Sequence, residues 1–299
     1  MNKMTVTSPG GDAAREHFLA EGYVVFRGVL DTAWLDQINA EMLELFQIQL
    51  RRLGLPTSRG DFRTAFHADA LALLKADVPT YISTARMTQM LPSVHRLMIS
   101  EPIMAAARRL GVEFPVISTR VSNHIISDLL KIPGGYHKSP PHQDWRSIQG
   151  SLDSIVLWAP TTPVSKQCHP LEVVPRSHLL GLLQTEDHIQ TPAVSDPRIR
   201  DENYIPLDMN PGDVVAFSTF TVHRTGDHGD GRVRIAYSGR FNNAAEPTYV
   251  AHGYPTPYKY SYQTDLIVPD FPKAQDLARI FPGAADESLS SSDGIIRTR

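Results

Sequence analysis

The feature that most constrains the fold is a series of short β-type segments in the second half of the chain. From Gly111 onward, runs of β-branched and aromatic residues alternate with clusters of Gly, Pro, Asn and Asp. These runs are residues 116–121, 142–148, 154–158, 171–174, 214–223 and 232–241. Many short strands separated by turn residues are typical of a β-sandwich or β-barrel. The sequence therefore predicts an all-β unit in this half.

The first third of the chain has a helical pattern instead. Residues 12–22 predict a short helix, and the apolar run at 23–26 predicts one strand after it. Asp31 stands where it would cap a long helix that reaches about Gly54, with apolar residues at helical spacing. Further helical stretches fill residues 61–110. We expect these helices to support the barrel.

The two patterns together predict one domain. We expect it to span residues 12–283, with helical support over about 12–111 and the barrel over about 112–260. Residues 1–11 are polar and Gly-rich and predict a flexible N-terminus. The Ser-rich, acidic tail at 284–299 predicts disorder.

Composition excludes several classes of protein. The 299 residues carry 29 Lys and Arg against 32 Asp and Glu, and this balance argues against a nucleic-acid partner, which needs a basic surface. No apolar run is long enough to span a membrane, and the N-terminus lacks a signal-peptide core, so we expect a cytoplasmic protein. Cys168 is the single cysteine; it cannot form an intrachain disulfide or a Cys-based zinc site, and we interpret it as inert.

Three His-x-Asp pairs occur, beginning at His67, His142 and His228. The first lies in a helical stretch and is interpreted as helix packing, and the third lies in a Gly/Asp-rich turn. The pair His142 and Asp144 follows two prolines and enters a β-type run. On a strand, residues i and i+2 share a face, so this imidazole and carboxylate are predicted to converge.

A metal site needs a further ligand, and a second histidine on another strand is the usual one. His223 ends the β-type run 214–223 and is our candidate. The later run 232–241 alternates cleanly and places Arg232 and Arg234 on the same face. An arginine that faces a barrel interior needs an anionic partner, and a carboxylate ligand suits its planar guanidinium.

These residues and four flanking phrases resemble the phytanoyl-CoA dioxygenase family of Fe(II)/2-oxoglutarate-dependent oxygenases. The phrases are FLAEGYVVFRGVL at 18–30, WAPTT at 158–162, LEVVPRSH at 171–178 and NPGDVVAF at 210–217. The resemblance covers about residues 15–260. It implies a double-stranded β-helix, a jelly-roll like that of the cupins, which agrees with the pattern of short strands.

The resemblance also implies site roles. His142, Asp144 and His223 would bind Fe(II). Arg234 would hold the far carboxylate of 2-oxoglutarate, assisted by Thr225. Trp158 would help to wall this pocket. O2 would be the second cosubstrate. Because related halogenases replace the carboxylate ligand by a small residue, Asp144 favours hydroxylation or a related oxidation over halogenation.

Two features depart from the family pattern. Residues 167–170 replace the usual Asn-Gly before the LEVVPRSH phrase, which we expect to alter a loop beside the pocket. The residue for the near carboxylate of 2-oxoglutarate is left open among Asn123, Lys131 and Ser139. Arg232 is an alternative to Arg234 for the far carboxylate.

The favoured hypothesis is a dioxygenase that hydroxylates an unactivated C–H bond of a small molecule and releases succinate and CO2. One alternative is a metal-dependent hydrolase, lyase or isomerase without 2-oxoglutarate, and another is a non-catalytic binding or sensor module. The helical N-terminal third and the loop at residues 131–141 are expected to wall the substrate pocket. His178 is interpreted as a structural hydrogen-bonding residue, and Trp145 as core packing or a substrate platform. The substrate and the oligomeric state are left open.

Overall fold

The computed structural model describes residues 5–6, 11–132, 138–188, 191–252 and 272–284. The tail predicted to be disordered lies outside this part of the chain after Ala284. Most of the N-terminus predicted to be flexible also lies outside it, although Thr5–Val6 forms a short strand.

Helices occupy the predicted N-terminal stretches. They are α1 Gly11–Glu21, α2 Thr32–Arg52, α3 Phe62–Ala76, α4 Val78–Thr88, α5 Pro92–Met98 and α6 Glu101–Arg109. Asp31 caps α2 as expected, because its side chain accepts a hydrogen bond from the Ala33 amide. Asp61 and Asp77 cap α3 and α4 in the same way. In the described part of the chain, three shorter α-helices follow, α7 Trp145–Ile148, α8 Pro247–Ala251 and α9 Ala274–Leu277.

The strands form two main sheets. In chain order they are β1 Thr5–Val6, β2 Tyr23–Phe26, β3 Pro115–Ile117, β4 Ser122–Ile126, β5 Ile155–Pro160, β6 Leu171–Val173, β7 Thr185–Glu186, β8 Ala193–Val194, β9 Ile205–Pro206, β10 Val214–Ser218, β11 His223–Thr225 and β12 Arg234–Asn243. The large sheet has the order β1-β2-β10-β5-β12, and β3 and β4 both pair with the far edge of β12. The small sheet has the order β11-β6-β9. All pairs are antiparallel except β1 with β2.

The large sheet separates two apolar cores. Its outer face packs on the helices through residues such as Leu157, Ala216 and Ile235. Its inner face packs on the small sheet, and this inner core includes Trp158 of β5 and Val173 of β6. A mainly β fold with supporting helices, as predicted, therefore encloses a space between two sheets, as in a jelly-roll.

Strand β12 follows the predicted alternation. Its outward residues Ile235, Tyr237 and Phe241 belong to the helix-facing core. Ala236, between them, belongs to the inner core. Because side chains alternate along a strand, Arg234, Ser238 and Arg240 share the inner face with Ala236.

The prediction of a strand at 142–148 is wrong. His142 forms only an isolated bridge, Asp144 has helical backbone angles, and Trp145–Ile148 is a helical turn. Tertiary contacts override the β propensity here: the indole of Trp145 stacks on Phe220 at 5.3 Å and donates to the carbonyl of Gly150. His142 and Asp144 still converge, but a turn brings them together.

Two other predicted runs are only partly strand. Residues 214–223 change sheets, since β10 ends at Ser218 in the large sheet and β11 begins at His223 in the small one. In the run at 116–121, only the first two residues belong to a strand, β3, and the rest connects β3 to β4. Within the described residues, no helix combines the length and apolarity needed to cross a membrane.

Candidate metal and cosubstrate site

Backbone pairing brings the two candidate histidine ligands side by side. The amide of His142 donates to the carbonyl of His223 at 3.0 Å, and the amide of His223 donates back at 3.1 Å. Their imidazole centroids are 4.1 Å apart. The His223 ring also lies 4.6 Å from the ring of Phe217, which belongs to the inner core. Both histidines therefore project into the space between the sheets.

Hydrogen bonds to carbonyl oxygens orient both rings. Nδ1 of His142 lies 2.8 Å from the carbonyl oxygen of Pro140, and Nδ1 of His223 lies 3.0 Å from that of Thr221. A carbonyl oxygen only accepts, so each Nδ1 carries a proton, and in the neutral ring Nε2 then keeps its lone pair. This is the tautomer in which imidazole binds a metal through Nε2.

Asp144 completes a compact group of three donors. Its Oδ1 lies 3.4 Å from Nε2 of His142 and 4.0 Å from Nε2 of His223. One donor atom from each of these three residues lies within 4.8 Å of the others, and all three residues are buried. Two imidazoles and a carboxylate in this arrangement could hold a divalent transition metal.

Electrostatics favour the protonation states that bind a metal. Burial opposes the charge on Asp144, yet the pKa of Asp144 lies well below its usual range, chiefly because the Arg240 guanidinium stabilises the carboxylate. Burial lowers the pKa of His223 to about 3, and His142 acts in the same direction. The carboxylate is therefore charged and His223 neutral at physiological pH.

The three residues expected to hold 2-oxoglutarate line the same space. Arg234 is 2% exposed, and its guanidinium carbon lies 5.5 Å from the ring centroid of Trp158 on the neighbouring strand. Thr225, two residues after His223 on β11, is buried on the same face as that histidine. Its hydroxyl accepts from the amide of Ser139 at 3.3 Å.

Two polar residues of this inner face were not singled out from the sequence. Arg240 donates from Nε to Oδ2 of Asp144 at 2.7 Å. His124 on β4 lies opposite Ala236, with its Nε2 3.0 Å from the hydroxyl of Ser238. The alternation of β12 was the available signal for Arg240, because it places this arginine on the same face as Arg234.

The residues considered for the near carboxylate lie elsewhere or play other parts. The amide of Asn123 donates to the carbonyl of Ala85 and the hydroxyl of Thr88, which places it against helix α4. Lys131 is exposed. Ser139 pairs with Thr225 through the backbone. Residues 133–137 of the expected substrate wall lie outside the described part of the chain.

The alternative to Arg234 and the residues interpreted as structural have contacts outside the site. Arg232, the alternative for the far carboxylate, is exposed and pairs with Asp230. His178 donates from Nε2 to the carbonyl of Leu19 at 3.0 Å, as a structural residue would. Burial raises the pKa of the Cys168 thiol, which suits an inert cysteine. Asp69 of the first His-x-Asp pair accepts from the amide of Ser58 inside the helical layer.

The sequence model for phytanoyl-CoA dioxygenase (PhyH) matches residues 18–236. The chain belongs to this family. The phytanoyl-CoA dioxygenase family depends on Fe(II) and 2-oxoglutarate, so Fe(II), 2-oxoglutarate and O2 are the cofactor and cosubstrates of this member, as expected. The protein is an enzyme of the Fe(II)/2-oxoglutarate-dependent superfamily. No curated protein matches the chain in sequence.

Several solved enzyme structures are similar in fold to this chain. The epimerase SnoN, in a complex with Fe3+, alpha-ketoglutarate and nogalamycin RO, is 18% identical with a TM-score of 0.53 over 78% of this chain and 83% of its own. The non-heme monooxygenase ThoJ is 15% identical, with a TM-score of 0.54 over 77% of each chain. AviO1 from Streptomyces viridochromogenes Tue57 is 20% identical, with a TM-score of 0.51 over 84% of this chain and 100% of its own. At these identities the likeness shows the jelly-roll fold.

Proposed function

We propose that this phytanoyl-CoA dioxygenase family member hydroxylates a C–H bond of a small molecule, with Fe(II) held by His142, Asp144 and His223. The observation that carries the proposal is the convergence of two Nε2 lone pairs and one carboxylate oxygen within 4.8 Å inside the jelly-roll. The donor set fits Fe(II), which two histidines and a carboxylate bind on one side, leaving positions for 2-oxoglutarate and O2.

Arg234 is the residue proposed to bind the far carboxylate of 2-oxoglutarate. Its guanidinium is buried beside Trp158 on the inner face, where a planar carboxylate can be bound by two parallel hydrogen bonds. Arg234 and Arg240 bring two positive charges to this face, and Asp144 brings one negative charge. Fe(II) would add two further positive charges, and the two negative charges of 2-oxoglutarate would offset them.

The chain contributes orientation and exclusion of water. Bound Fe(II) supplies the redox chemistry that couples decarboxylation of 2-oxoglutarate to succinate and CO2 with oxidation of the substrate. The apolar inner core, with Phe217 against His223 and Trp158 beside Arg234, keeps water from the space between the sheets. Asp144 stands where related halogenases have a small residue, which supports hydroxylation or a related oxidation over halogenation.

An anaerobic titration tests the proposed cosubstrate site without knowledge of the substrate. Adding Fe(II) and then 2-oxoglutarate should produce the visible charge-transfer band of their chelate. Arg234→Ala should raise the dissociation constant for 2-oxoglutarate at least about tenfold, because a buried charge-assisted pair is lost. Arg232→Ala is the matched control: this arginine lies two residues away but is exposed, and we expect a change of less than about twofold. Equal effects of the two substitutions would contradict the assignment of Arg234.

A second experiment tests hydroxylation itself. Small molecules are first screened for stimulation of succinate release, and the responding compound is then turned over under 18O2. We expect its product to gain one 18O atom. A product of unchanged mass and altered configuration would overturn hydroxylation while leaving the iron and 2-oxoglutarate site in place.

A further inference from the structure

Arg240 is bound on several sides within the inner face. Besides its 2.7 Å hydrogen bond to Oδ2 of Asp144, it donates from Nη1 to the hydroxyls of Ser122 at 2.8 Å and Ser238 at 3.4 Å. The side chains of Arg240 and Asp144 are 11% and 6% exposed. The guanidinium is therefore fixed by two strands, β4 and β12, before it meets the carboxylate.

The two oxygens of Asp144 have different surroundings. Oδ1 is the oxygen closest to both histidines, at 3.4 Å from Nε2 of His142 and 4.0 Å from Nε2 of His223. Oδ2 is the oxygen bound by Arg240. Oδ1 thus faces the two histidine ligands, and Oδ2 faces the Arg240 guanidinium.

We propose that Arg240 is a positioning residue that reserves Oδ2 of Asp144, so that the carboxylate presents a single oxygen to the iron. This inference rests on the proposed function. A carboxylate with both oxygens free can bind a metal through both, and the second oxygen then fills a position that 2-oxoglutarate needs. Binding Oδ2 to Arg240 keeps that position open.

The chemistry of the side chain suits this task. Guanidinium is always charged and planar, so it can bind the carboxylate and the Ser122 hydroxyl at the same time from fixed directions. Lysine would supply the charge without the fixed geometry, and glutamine would supply a weaker, neutral donor. Partners behind metal ligands commonly set ligand orientation in this way.

Arg240→Gln and Arg240→Lys test the role by binding measurements alone. In anaerobic titrations, we expect Arg240→Gln to bind one Fe(II) per chain but to show a dissociation constant for 2-oxoglutarate at least about tenfold higher than the wild type, with Arg240→Lys in between. Infrared difference spectra of Fe(II) binding should show a smaller separation of the two carboxylate stretches in Arg240→Gln, as chelation by both oxygens produces.

The control breaks an ion pair of the same length that joins the residue after β2 to the residue before β10. Arg27 donates to Oδ2 of Asp213 at the same distance, 2.7 Å, so Arg27→Gln should leave the affinity for 2-oxoglutarate within about twofold. If Arg240→Gln does not fold, Ser122→Ala replaces it, because it removes one anchor and keeps the arginine. We expect it to raise the 2-oxoglutarate dissociation constant about threefold.

Two results would overturn the inference. In the first, Arg240→Gln, or Ser122→Ala in its place, retains the wild-type affinity and the wild-type carboxylate spectrum. In the second, Arg240→Gln loses Fe(II) altogether, which would mean that the arginine holds the ligand in place and keeps no position open. Wild-type protein that binds no Fe(II) would instead contradict the proposed function itself.

Discussion

Hydrogen bonds to backbone carbonyls set which ring nitrogen carries the proton in His142, His223 and His178. In His142 and His223, Nδ1 donates to a backbone carbonyl, and Nε2 is directed at Asp144. In His178, Nε2 donates to the carbonyl of Leu19, and Nδ1 is buried with no hydrogen-bond partner in the described residues. The same side chain is thus a candidate ligand in one setting and a structural residue in another.

His178 should make stability depend on pH. Burial lowers its pKa to about 4, whereas the unfolded chain has a pKa near the ordinary 6.5. Below pH 6.5 the unfolded state therefore binds a proton that the folded state excludes, so stability is lost as pH falls from 6.5 to 4. The loss approaches about 1.4 kcal/mol per pH unit for this group. Urea unfolding of metal-free protein at several pH values measures it.

His178→Gln is the variant that isolates this contribution, since it can still donate to the Leu19 carbonyl but does not titrate. We expect its free energy of unfolding to fall less steeply between pH 6.5 and 4. Some slope should remain, because burial also lowers the pKa of His223, to about 3. An unchanged slope would contradict the prediction.

Among single residues, the sequence could not show which buried charges meet. Arg240 and Asp144 are 96 residues apart, and only the folded sheet brings them into contact. The convergence of His142 with His223 was expected from a family resemblance, and their protonation pattern came from carbonyls that no sequence motif identifies. The local sequence pattern predicts which face of a strand a residue lies on. Which buried side chains contact each other depends on the tertiary fold.

At the scale of elements, the sequence predicts those helices and strands whose conformation depends on neighbouring residues. The N-cap of α2 and the alternation of β12 involve neighbouring residues, and both are as expected. The prediction of a strand at 142–148 is wrong because contacts with Thr219 and Phe220, which are distant in sequence, bend the segment into a turn. A β-type composition describes the residues, but long-range packing selected the conformation.

The turn between α1 and β2 gives a prediction at this scale. Gly22 has a φ of +80°, and a Cβ there would lie 2.4 Å from Nδ1 of His178 and 2.7 Å from the hydroxyl of Thr221. We expect Gly22→Ala to lower the free energy of unfolding by about 2–4 kcal/mol, the sum of left-handed strain and overpacking. Denaturant unfolding measures this loss.

Gly28 supplies the matched control. Its φ is +61°, but a Cβ there would meet nothing within 4 Å. Gly28→Ala should therefore cost only the strain, about 1 kcal/mol. If both substitutions cost the same, the contact with His178 does not contribute.

For the whole molecule, residues 272–284, which lie after the family match, contribute to the core. The match ends at residue 236, yet Leu277 of α9 and Phe281 are fully buried. The ring of Phe281 lies 6.3 Å from that of Phe18 in α1 and 4.7 Å from that of His178. The C-terminal segment thus joins the N-terminal helix to the loop that follows β6.

Phe281→Ala should lower the free energy of unfolding by about 3–5 kcal/mol, because it opens a cavity where these three parts meet. Calorimetry or denaturant unfolding measures the loss. Phe114→Ala is the control, since Phe114 is 65% exposed and its removal should change stability by less than about 0.5 kcal/mol. A loss below 1 kcal/mol for Phe281→Ala would mean that the segment only covers a core that is stable without it.

The pair of backbone hydrogen bonds between His142 and His223 has a consequence for assembly. The two histidines come from distant parts of the chain, and they become neighbours only when the segment before α7 pairs with β11. On the proposed assignment, the chelating group is absent from an unfolded or half-folded chain. Iron and folding are then thermodynamically linked, and each favours the other. Redox-active iron is thereby confined to molecules whose jelly-roll has already closed around it.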